Sequence, residues 1–361
     1  MGPLVNDDCL QVYRGRRVLV TGHTGFKGSW LSYLLHLVGA EVMGYALPPS
    51  GEDSHFERLD LAQRLHHVAA DIRDADRLAT EVAAFRPEFV FHLAAQALVR
   101  PSYDDPKTTF DINVSGGVNL LEAVRVCDSV RTLVFITSDK CYENLEWIWG
   151  YRETDVMGGR DPYSASKGAV ELVFSSYLRS YFASRPGFGA ATTRAGNVVG
   201  GGDWAVDRIV PDCVRALVAG RPIVIRSPEA TRPWQHVLEP LSGYLQLGAA
   251  LHRDPAAFAG AWNFGPHVGE LRTVLDVVRS MVSLFGRGEV VVDAPADRPH
   301  EARLLQLNSD KARQLLGWNT RWDFEQTLRA TGGWYRDVLL DGRPAAEATR
   351  SQINEYFGGA W

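Results

Sequence analysis

The sequence has few of the features that mark secreted or metal-binding proteins. Cysteine occurs only four times in 361 residues. The four positions show neither C-x-x-C spacing nor a histidine partner at a metal-ligand interval: Cys9, Cys127, Cys141 and Cys213. We therefore predict no disulfide framework and no metal site, and we expect plain thiols in a reducing compartment.

Long apolar runs and an excess of positive charge are also missing. No segment approaches the ~20 apolar residues that a membrane span requires, and the first residues lack the basic start and apolar stretch of a secretory signal. The formal net charge is -5 and the pI is near 6.1, which disfavours nucleic acid and anionic membranes as partners. These absences predict a cytoplasmic protein with no nucleic-acid or membrane partner.

The hydrophobic pattern of the first half alternates between strand and helix periods. Short β-branched runs are separated by amphipathic stretches. The predicted strands are 17–21, 41–47, one ending at residue 71, 89–93 and 132–138, and the main predicted helices are 28–37, 74–85, 113–126 and 163–182. This order predicts an α/β fold with a doubly wound parallel sheet of the Rossmann type.

From about Gly200 the hydrophobic pattern becomes irregular, and the segments are rich in Gly, Pro, Trp and Arg. We interpret this part as a smaller C-terminal lobe that binds the substrate. The expected division is a dinucleotide-binding domain over 1–195 and a mainly substrate-binding lobe over 196–361, with some segments returning to the first domain.

Three glycines follow the first predicted strand, in the segment T-G-H-T-G-F-K-G. Gly22, Gly25 and Gly28 lie where a strand turns into a helix. Positions without a side chain let the backbone approach a pyrophosphate, and a helix N-terminus offers free N–H groups to it. A tight turn with close helix packing is the alternative, but the flanking strand and helix favour a dinucleotide site.

Asp71 ends a later strand, where it could accept a hydrogen bond from an adenine amino group. An N-cap for the following helix is nearly as good an explanation. The second strand ends in Tyr45-Ala46-Leu47, with neither an acid for the ribose hydroxyls nor a basic cluster for a 2′-phosphate. The pattern sets the choice of cofactor only weakly and favours NAD over NADP.

Tyr163 and Lys167 are spaced one helical turn apart at the start of a predicted helix. A neighbouring ammonium favours the phenolate, so we expect the pKa of Tyr163 to lie below its usual ~10 and Tyr163 to act as a general base. An exposed Tyr–Lys pair on a helix surface is the alternative. The hydroxyls of Thr137 and Ser138, at the end of a strand, favour the catalytic interpretation.

These motifs together resemble the extended short-chain dehydrogenase/reductase family, over nearly the whole chain. Four segments are similar to the sugar-nucleotide 4,6-dehydratases that act on CDP-glucose: T-S-D-K-C-Y-E-N (137–144), D-P-Y-S-A-S-K-G (161–168), R-A-G-N-V-V-G-G-G-D-W (194–204) and R-P-W-Q-H-V (232–237). The resemblance implies oxidation of a sugar at C4, loss of water across C5 and C6, and return of the hydride to C6.

The resemblance also implies roles for individual residues. Asp139 is expected to be the acid and Lys140 the base of the elimination, beside Ser138, Tyr163 and Lys167. The related dTDP-glucose enzymes carry Asp-Glu at this pair, so Lys140 departs from them and matches the CDP-sugar enzymes. A salt bridge between Asp139 and Lys140 that closes the strand end is the structural alternative.

Binding residues follow from the same reasoning. The expected cofactor contacts are Gly22, Thr24, Gly25, Phe26, Gly28, Asp71, Ile72, Leu93, Ala94, Ala95, Tyr163 and Lys167. Cationic and aromatic groups for a nucleotide diphosphate are offered by Arg208, Arg232, Trp234 and His236, although each could be ordinary surface or packing, His236 above all. The resemblance implies that Asn197 lies near the diphosphate or the sugar of the substrate. His92 and Asn113 have structural explanations, in strand packing and helix capping respectively.

Two other functions remain open at this point. A sugar-nucleotide 4-epimerase or decarboxylase would use the same scaffold but needs no acid–base pair at C5 and C6, so Asp139 and Lys140 disfavour it. A cofactor-sensing protein without catalysis is disfavoured by an intact Ser138, Tyr163 and Lys167. The family resemblance suggests a homodimer formed through the helices near 113–126 and 163–182.

Overall fold

A computed structural model of the protein describes residues 7–267, 271–293 and 304–359. The helices are α1 Asp7–Gln11, α2 Phe26–Val38, α3 His55–Arg58, α4 Ala75–Phe85, α5 Val99–Asp104, α6 Pro106–Phe110, α7 Gly116–Val126, α8 Pro162–Tyr177, α9 Ile209–Val218, α10 Leu238–Arg253, α11 Pro255–Phe258, α12 Val274–Phe285, α13 Phe324–Leu339 and α14 Ala345–Phe357. The strands are β1 Arg17–Thr21, β2 Glu41–Ala46, β3 His66–Ala69, β4 Phe89–His92, β5 Thr132–Ile136, β6 Gly189–Arg194, β7 Val198–Val199, β8 Ile223–Ile225, β9 Thr231–Arg232, β10 Gln235–His236, β11 Gly260–Asn263, β12 Arg272–Thr273 and β13 Val290–Val292.

The centre of the molecule is a seven-stranded sheet in the order β11-β6-β5-β4-β1-β2-β3. Every neighbouring pair in it is parallel. The predicted doubly wound α/β fold is confirmed. Because β1, β4 and β5 run in the same direction, the turn after Thr21, the segment after His92 and the segment after Ile136 meet at one edge of the sheet.

Side chains that alternate along the strands bury both faces of the sheet. In β1, Val18 and Val20 belong to one core cluster and Leu19 belongs to the other. The first cluster is closed by α2 and α10, and the second by α4, α7 and α8. Apolar residues on both faces explain why these strands read as continuous apolar runs rather than as alternating ones.

The C-terminal half forms short pairs of strands outside the central sheet and also contributes to it. β7 pairs with β10, β9 with β12, and β8 with β13, whereas β11 pairs with β6 at the edge of the central sheet. No helix among the described residues is long and apolar enough to cross a membrane.

The structure corrects the prediction for Asn113. The chain is helical from Pro106 to Val126, with one wider turn at Asp111–Ser115, so Asn113 lies inside the helix rather than at its start. Its side chain donates to Gln96 O (3.0 Å) and Ser166 Oγ (2.8 Å) and accepts from Gln96 N (2.9 Å). It therefore cross-links the segment after β4 to α8, and the capping hypothesis was wrong.

His92 has the packing role expected of it. Its ring lies 4.3 Å from that of Phe135, and its Nδ1 is 2.7 Å from Thr21 Oγ1. The contact joins β4 to β1 and β5 beneath the carboxyl edge of the sheet.

Candidate active site

The turn between β1 and α2 leaves no room for a side chain at two of its glycines, Gly22 and Gly28. Gly22 has φ +74°, and a Cβ there would lie 2.7 Å from Ala94 N. A Cβ at Gly28 would lie 2.1 Å from Gly22 O. The N-terminus of α2 has no side-chain cap, so its first N–H groups are available to a phosphate.

Three of the residues predicted around this turn, Thr24, Leu93 and Ala94, are hydrogen-bonded to the strand before it or to the end of β2. Leu93 and Ala94 donate their backbone N–H groups to Thr21 Oγ1, both at 3.2 Å, and Ala95 follows them. Thr24 Oγ1 donates to Leu47 O (2.9 Å), which joins the turn to the end of β2. Ile72 is buried against Gly116, where a Cβ would lie 2.6 Å from Ile72 Cγ2.

Asp71 is not the cap of the next helix. Asp74 caps α4 by accepting from Arg77 N (3.0 Å), which removes the capping alternative. The Asp71 carboxylate instead binds the Arg73 guanidinium (2.6 Å) and backbone N–H (2.9 Å). Hydrogen bonds from Arg73 hold the pKa of Asp71 below its usual range.

The start of α8 brings Tyr163 and Lys167 into the interior. Asp161 caps the helix and Pro162 occupies its first turn, so the backbone here is well determined. Tyr163 is 7% exposed and Lys167 4%. The Lys167 Nζ lies 5.9 Å from the centroid of the Tyr163 ring.

Burial outweighs the effect expected of the lysine on the tyrosine. It raises the pKa of Tyr163 to about 12, although a hydrogen bond with Ser138 and the charge of Arg208 lower it. The predicted lowering was therefore wrong for the chain by itself. Burial and the charge of Lys27 lower the pKa of Lys167 to about 8.

Ser138, Asp139 and Lys140 follow β5 directly. Ser138 Oγ donates to Asp139 Oδ1 (2.9 Å) and accepts from Lys140 N (3.2 Å). Asp139 is buried and Lys140 is partly exposed. In the described part of the chain these two side chains form no ion pair with each other, so the salt-bridge alternative was wrong. The structure thus brings the Ser138 and Asp139 side chains beside Tyr163.

Three charged groups near this cluster were missed from the sequence: Lys27 and the ion-paired Glu171 and Arg194. Lys27 lies in the first turn of α2; burial and the charge of Arg208 lower its pKa to about 8, and the charge of Asp139 opposes them. Glu171, one turn after Lys167, forms a buried ion pair with Arg194 at 2.8 Å. Lys27 lies within the glycine segment, so the sequence could have indicated it. The pairing of Arg194 with Glu171 is seen only in the fold.

The predicted substrate residues of the second lobe differ in their surroundings. Arg208 is partly exposed and pairs with Asp203 at 3.0 Å. Asn197 adopts φ +51° and accepts from Gln235 N (3.2 Å) through its carbonyl. Both lie on the segment that follows β6, on the side of the sheet edge where β5 ends.

Three further predicted residues lie on β9, β10 and the link between them. Arg232 donates to Thr231 O (2.8 Å), and Trp234 Nε1 donates to Arg272 O (3.1 Å). His236 is completely buried, with its ring 4.7 Å from that of Trp322. Burial lowers the pKa of His236 to about 3, so this neutral ring supports packing and has no surface to offer a substrate.

The family model of GDP-mannose 4,6 dehydratase matches residues 19–331. The chain is 46% identical to a CDP-glucose 4,6-dehydratase of Salmonella typhimurium, over 96% of this chain and 97% of that protein. Among solved structures it resembles the dTDP-glucose 4,6-dehydratase DesIV of Streptomyces venezuelae, solved with NAD bound (TM-score 0.76, 25% identity, 89% of this chain and 97% of the other).

It also resembles a UDP-glucose 4-epimerase of Thermus thermophilus in complex with NAD, with a TM-score of 0.76 and 28% identity over 90% of this chain and all of the other. Dehydratases and epimerases thus share the scaffold. The match of the family model over most of the chain, together with the identity to a full-length relative, assigns the protein: it belongs to the GDP-mannose 4,6-dehydratase family of extended short-chain dehydrogenases/reductases.

Proposed function

We propose that this protein is an NAD-dependent lyase that converts CDP-glucose to CDP-4-keto-6-deoxyglucose. The observation that carries the proposal is the grouping of Tyr163, Ser138 and Asp139 at the carboxyl edge of the sheet, with Lys140 next in the chain. The identity of 46% to a CDP-glucose 4,6-dehydratase supports the choice of substrate. The Asp139 and Lys140 pair favours elimination over epimerisation.

The turn fits a dinucleotide. Gly22 and Gly28 leave the backbone bare where a Cβ would clash, at Gly25 a Cβ would lie a tight 3.3 Å from Gly22 O, and the start of α2 has no side-chain cap. In the proposed site, Thr24, Phe26, Asp71, Ile72 and the segment 93–95 surround the cofactor. Oxidised nicotinamide supplies a hydride acceptor and a positive charge that favours phenolate over phenol in its neighbourhood.

We assign a residue to each proton transfer before the hydride returns. Tyr163 accepts the proton of the C4 hydroxyl while bound NAD would take the hydride from C4, and Ser138 holds that oxygen through a hydrogen bond. The resulting ketone makes the C5 proton acidic. Lys140 then removes this proton while Asp139 donates one to the C6 hydroxyl, which leaves as water. The hydride finally returns to C6 and a solvent proton adds to C5.

We place the sugar nucleotide between the two lobes. The proposed dinucleotide domain comprises residues 1–195, and residues 196–361 form most of the substrate lobe. Arg208 and Arg232 supply positive charge for the diphosphate, and Trp234 and Asn197 lie between them in the cleft we propose. Arg208 is already oriented by Asp203 (3.0 Å), which reduces the entropy lost on binding.

The outer surface of α7 and α8 supports a homodimer. Val126 and Leu172 are each 64% exposed, and Tyr181, just after α8, is 51% exposed. Apolar side chains on two neighbouring helices suit an isologous contact with the same helices of a second copy. Cys9, Cys127, Cys141 and Cys213 form no disulfide in the described part of the chain, in keeping with the cytoplasmic location that we propose.

Incubation with CDP-glucose and NAD in heavy water tests the proposed reaction. Mass spectrometry should find a sugar lighter by one water that carries deuterium at C5. Because the hydride returns to the substrate, reduced nicotinamide should not accumulate. Steady accumulation of reduced cofactor, or a product isomeric with glucose, would rule out the dehydratase and favour a dehydrogenase or a 4-epimerase respectively.

Replacing Lys140 with alanine should separate oxidation from loss of water. The variant retains Tyr163 and Ser138, so it should still oxidise C4, whereas the dehydration rate should fall about 10²- to 10⁴-fold without the base. Single-turnover absorbance of the reduced nicotinamide measures the first step, and product mass measures the second. Lys107→Ala, at an exposed lysine of α6 (84%), is the matched control. Equal loss of both steps would contradict the role of Lys140.

A further inference from the structure

Gly196, between β6 and β7, lies directly against the carboxylate of Asp139. A Cβ built on Gly196 would be 1.8 Å from Asp139 Oδ2 and 2.3 Å from its Cγ. Real Cβ atoms do not approach other atoms so closely, so no residue except glycine is compatible with this position of the carboxylate. The φ of Gly196 is not in the left-handed region, so space and not backbone conformation requires the glycine.

The backbone around Gly196 is held from both sides and has little freedom to retreat. Gly196 O accepts from Gln235 Nε2 (3.0 Å), and Asn197 O accepts from Gln235 N (3.2 Å). On the other side, Arg194 is fixed by its buried ion pair with Glu171. Any added side chain would therefore be accommodated by movement of the carboxylate, which is the free end of the Asp139 side chain.

Such a movement would affect the chemistry rather than the fold. The Asp139 carboxylate accepts from Ser138 Oγ at 2.9 Å and lies near Tyr163. Rotation away from Gly196 changes the position of the acid relative to the sugar, while the sheet, α8 and the glycine turn stay in place. A displacement of about 1 Å is enough to lower a catalytic rate about 10²-fold.

We propose that Gly196 is a positioning residue for elimination: its missing side chain provides the space in which Asp139 is held as the acid for the C6 hydroxyl. This inference rests on the proposed function, because it concerns the step that distinguishes a dehydratase from an epimerase. It adds a determinant of reaction type that is distant in sequence from the Asp139 and Lys140 pair.

Gly196→Ala tests the proposal. The variant should keep its thermal midpoint and its rate of C4 oxidation, measured by single-turnover absorbance of reduced nicotinamide. Its dehydration rate should fall about 10²-fold, mainly in kcat with little change in KM. Gly333→Ala on α13, where an added Cβ meets nothing within 4 Å, is the control and should match the parent chain in both steps.

A double-mutant cycle with Asp139→Ala separates positioning from general damage. Once the carboxylate is gone, the added methyl group at Gly196 has nothing to displace, so the double variant should dehydrate no more slowly than Asp139→Ala alone. Additive losses, a parallel loss of oxidation, or unchanged dehydration in Gly196→Ala would each overturn the proposal.

The failure of the proposed function would look different. If the parent chain itself released no water from CDP-glucose while oxidising it, the dehydratase assignment would fail before any variant was compared. The Gly196 proposal fails only where the parent chain dehydrates and the variant behaves in one of the contrary ways given above.

Discussion

Tyr163→Phe should stop the reaction at its first step, with C4 oxidation reduced about 10²- to 10⁴-fold. Phenylalanine keeps the ring that packs at this buried position, where Tyr163 is only 7% exposed. It has no hydroxyl, so no group remains to take the proton of the C4 hydroxyl. Single-turnover absorbance of reduced nicotinamide, with CDP-glucose in excess, measures the step. Unlike the Lys140 variant, Tyr163→Phe should show neither reduced cofactor nor product.

Tyr103→Phe is the matched control, because Tyr103 lies on α5 with half of its surface exposed (50%). It should retain both partial reactions. Oxidation by Tyr163→Phe at the rate of the parent chain would mean that another group accepts the proton, and the proposed assignment of the base would then be abandoned.

Arg194→Met should destabilise the fold by about 3–5 kcal/mol, because it leaves a buried carboxylate without its partner. Glu171 and Arg194 are 5% and 2% exposed, and two guanidinium nitrogens of Arg194 each donate at 2.8 Å to Glu171. Thr192 also donates to this carboxylate, at 2.9 Å. Urea unfolding at neutral pH, followed by circular dichroism, measures the loss.

The double variant Glu171→Leu/Arg194→Met is the informative comparison. Buried ion pairs are often replaced by apolar residues at little cost, so the double variant should recover much of the stability lost in Arg194→Met. Burial raises the pKa of Glu171, but the hydrogen bonds and charge of Arg194 outweigh it and hold the value below the usual range.

The sign of the pH dependence follows from that depressed pKa. The pair contributes stability above the unfolded pKa of a glutamate, ~4.3, and this contribution is lost as the pH falls through the folded value. The stability of the parent chain relative to the double variant should therefore fall in acid. A single Arg194→Met variant as stable as the parent would contradict this account.

Much of the candidate site could be predicted from the spacing of residues along the chain. Tyr163 and Lys167 lie one turn apart on any helix, and Ser138, Asp139 and Lys140 are contiguous, so their proximity needed no knowledge of the fold. The glycine turn was equally local. Parallel strands then place the turn and the Ser138 segment at the same edge, which the alternation of strand and helix predicts.

The degree of burial of these side chains could not be predicted from spacing along the chain. The expectation that Lys167 lowers the pKa of Tyr163 considered one charge and one phenol, whereas the folded chain encloses the phenol and raises its pKa to about 12. The sequence states which groups are close in the chain. It does not state how much water remains around them, and water decides the larger part of this shift.

Two other kinds of feature were not predicted correctly: which of two neighbouring residues has a given role, and which distant segments are in contact. Asp71 and Asp74 both precede the same helix, and only the backbone shows that Asp74 is the cap. Asn113 was assigned to a helix start, but it lies within the wider turn Asp111–Ser115, which has no simple sequence signal. Gly196 and Asp139 follow the ends of two different strands. The sequence does not show that the space left by the missing side chain of Gly196 is filled by the Asp139 carboxylate.

The order in which the strands are synthesised leaves one edge of the central sheet open until β11 is made. β11 comes from residues 260–263 yet completes the sheet beside β6, so a ribosome must synthesise most of the chain before β6 gains its outer neighbour. Until then β6 presents unpaired N–H and C=O groups, a template for wrong association. A polypeptide that has passed β6 but not residue 260 should therefore expose this open edge, and shortened versions that end before residue 260 should keep it exposed.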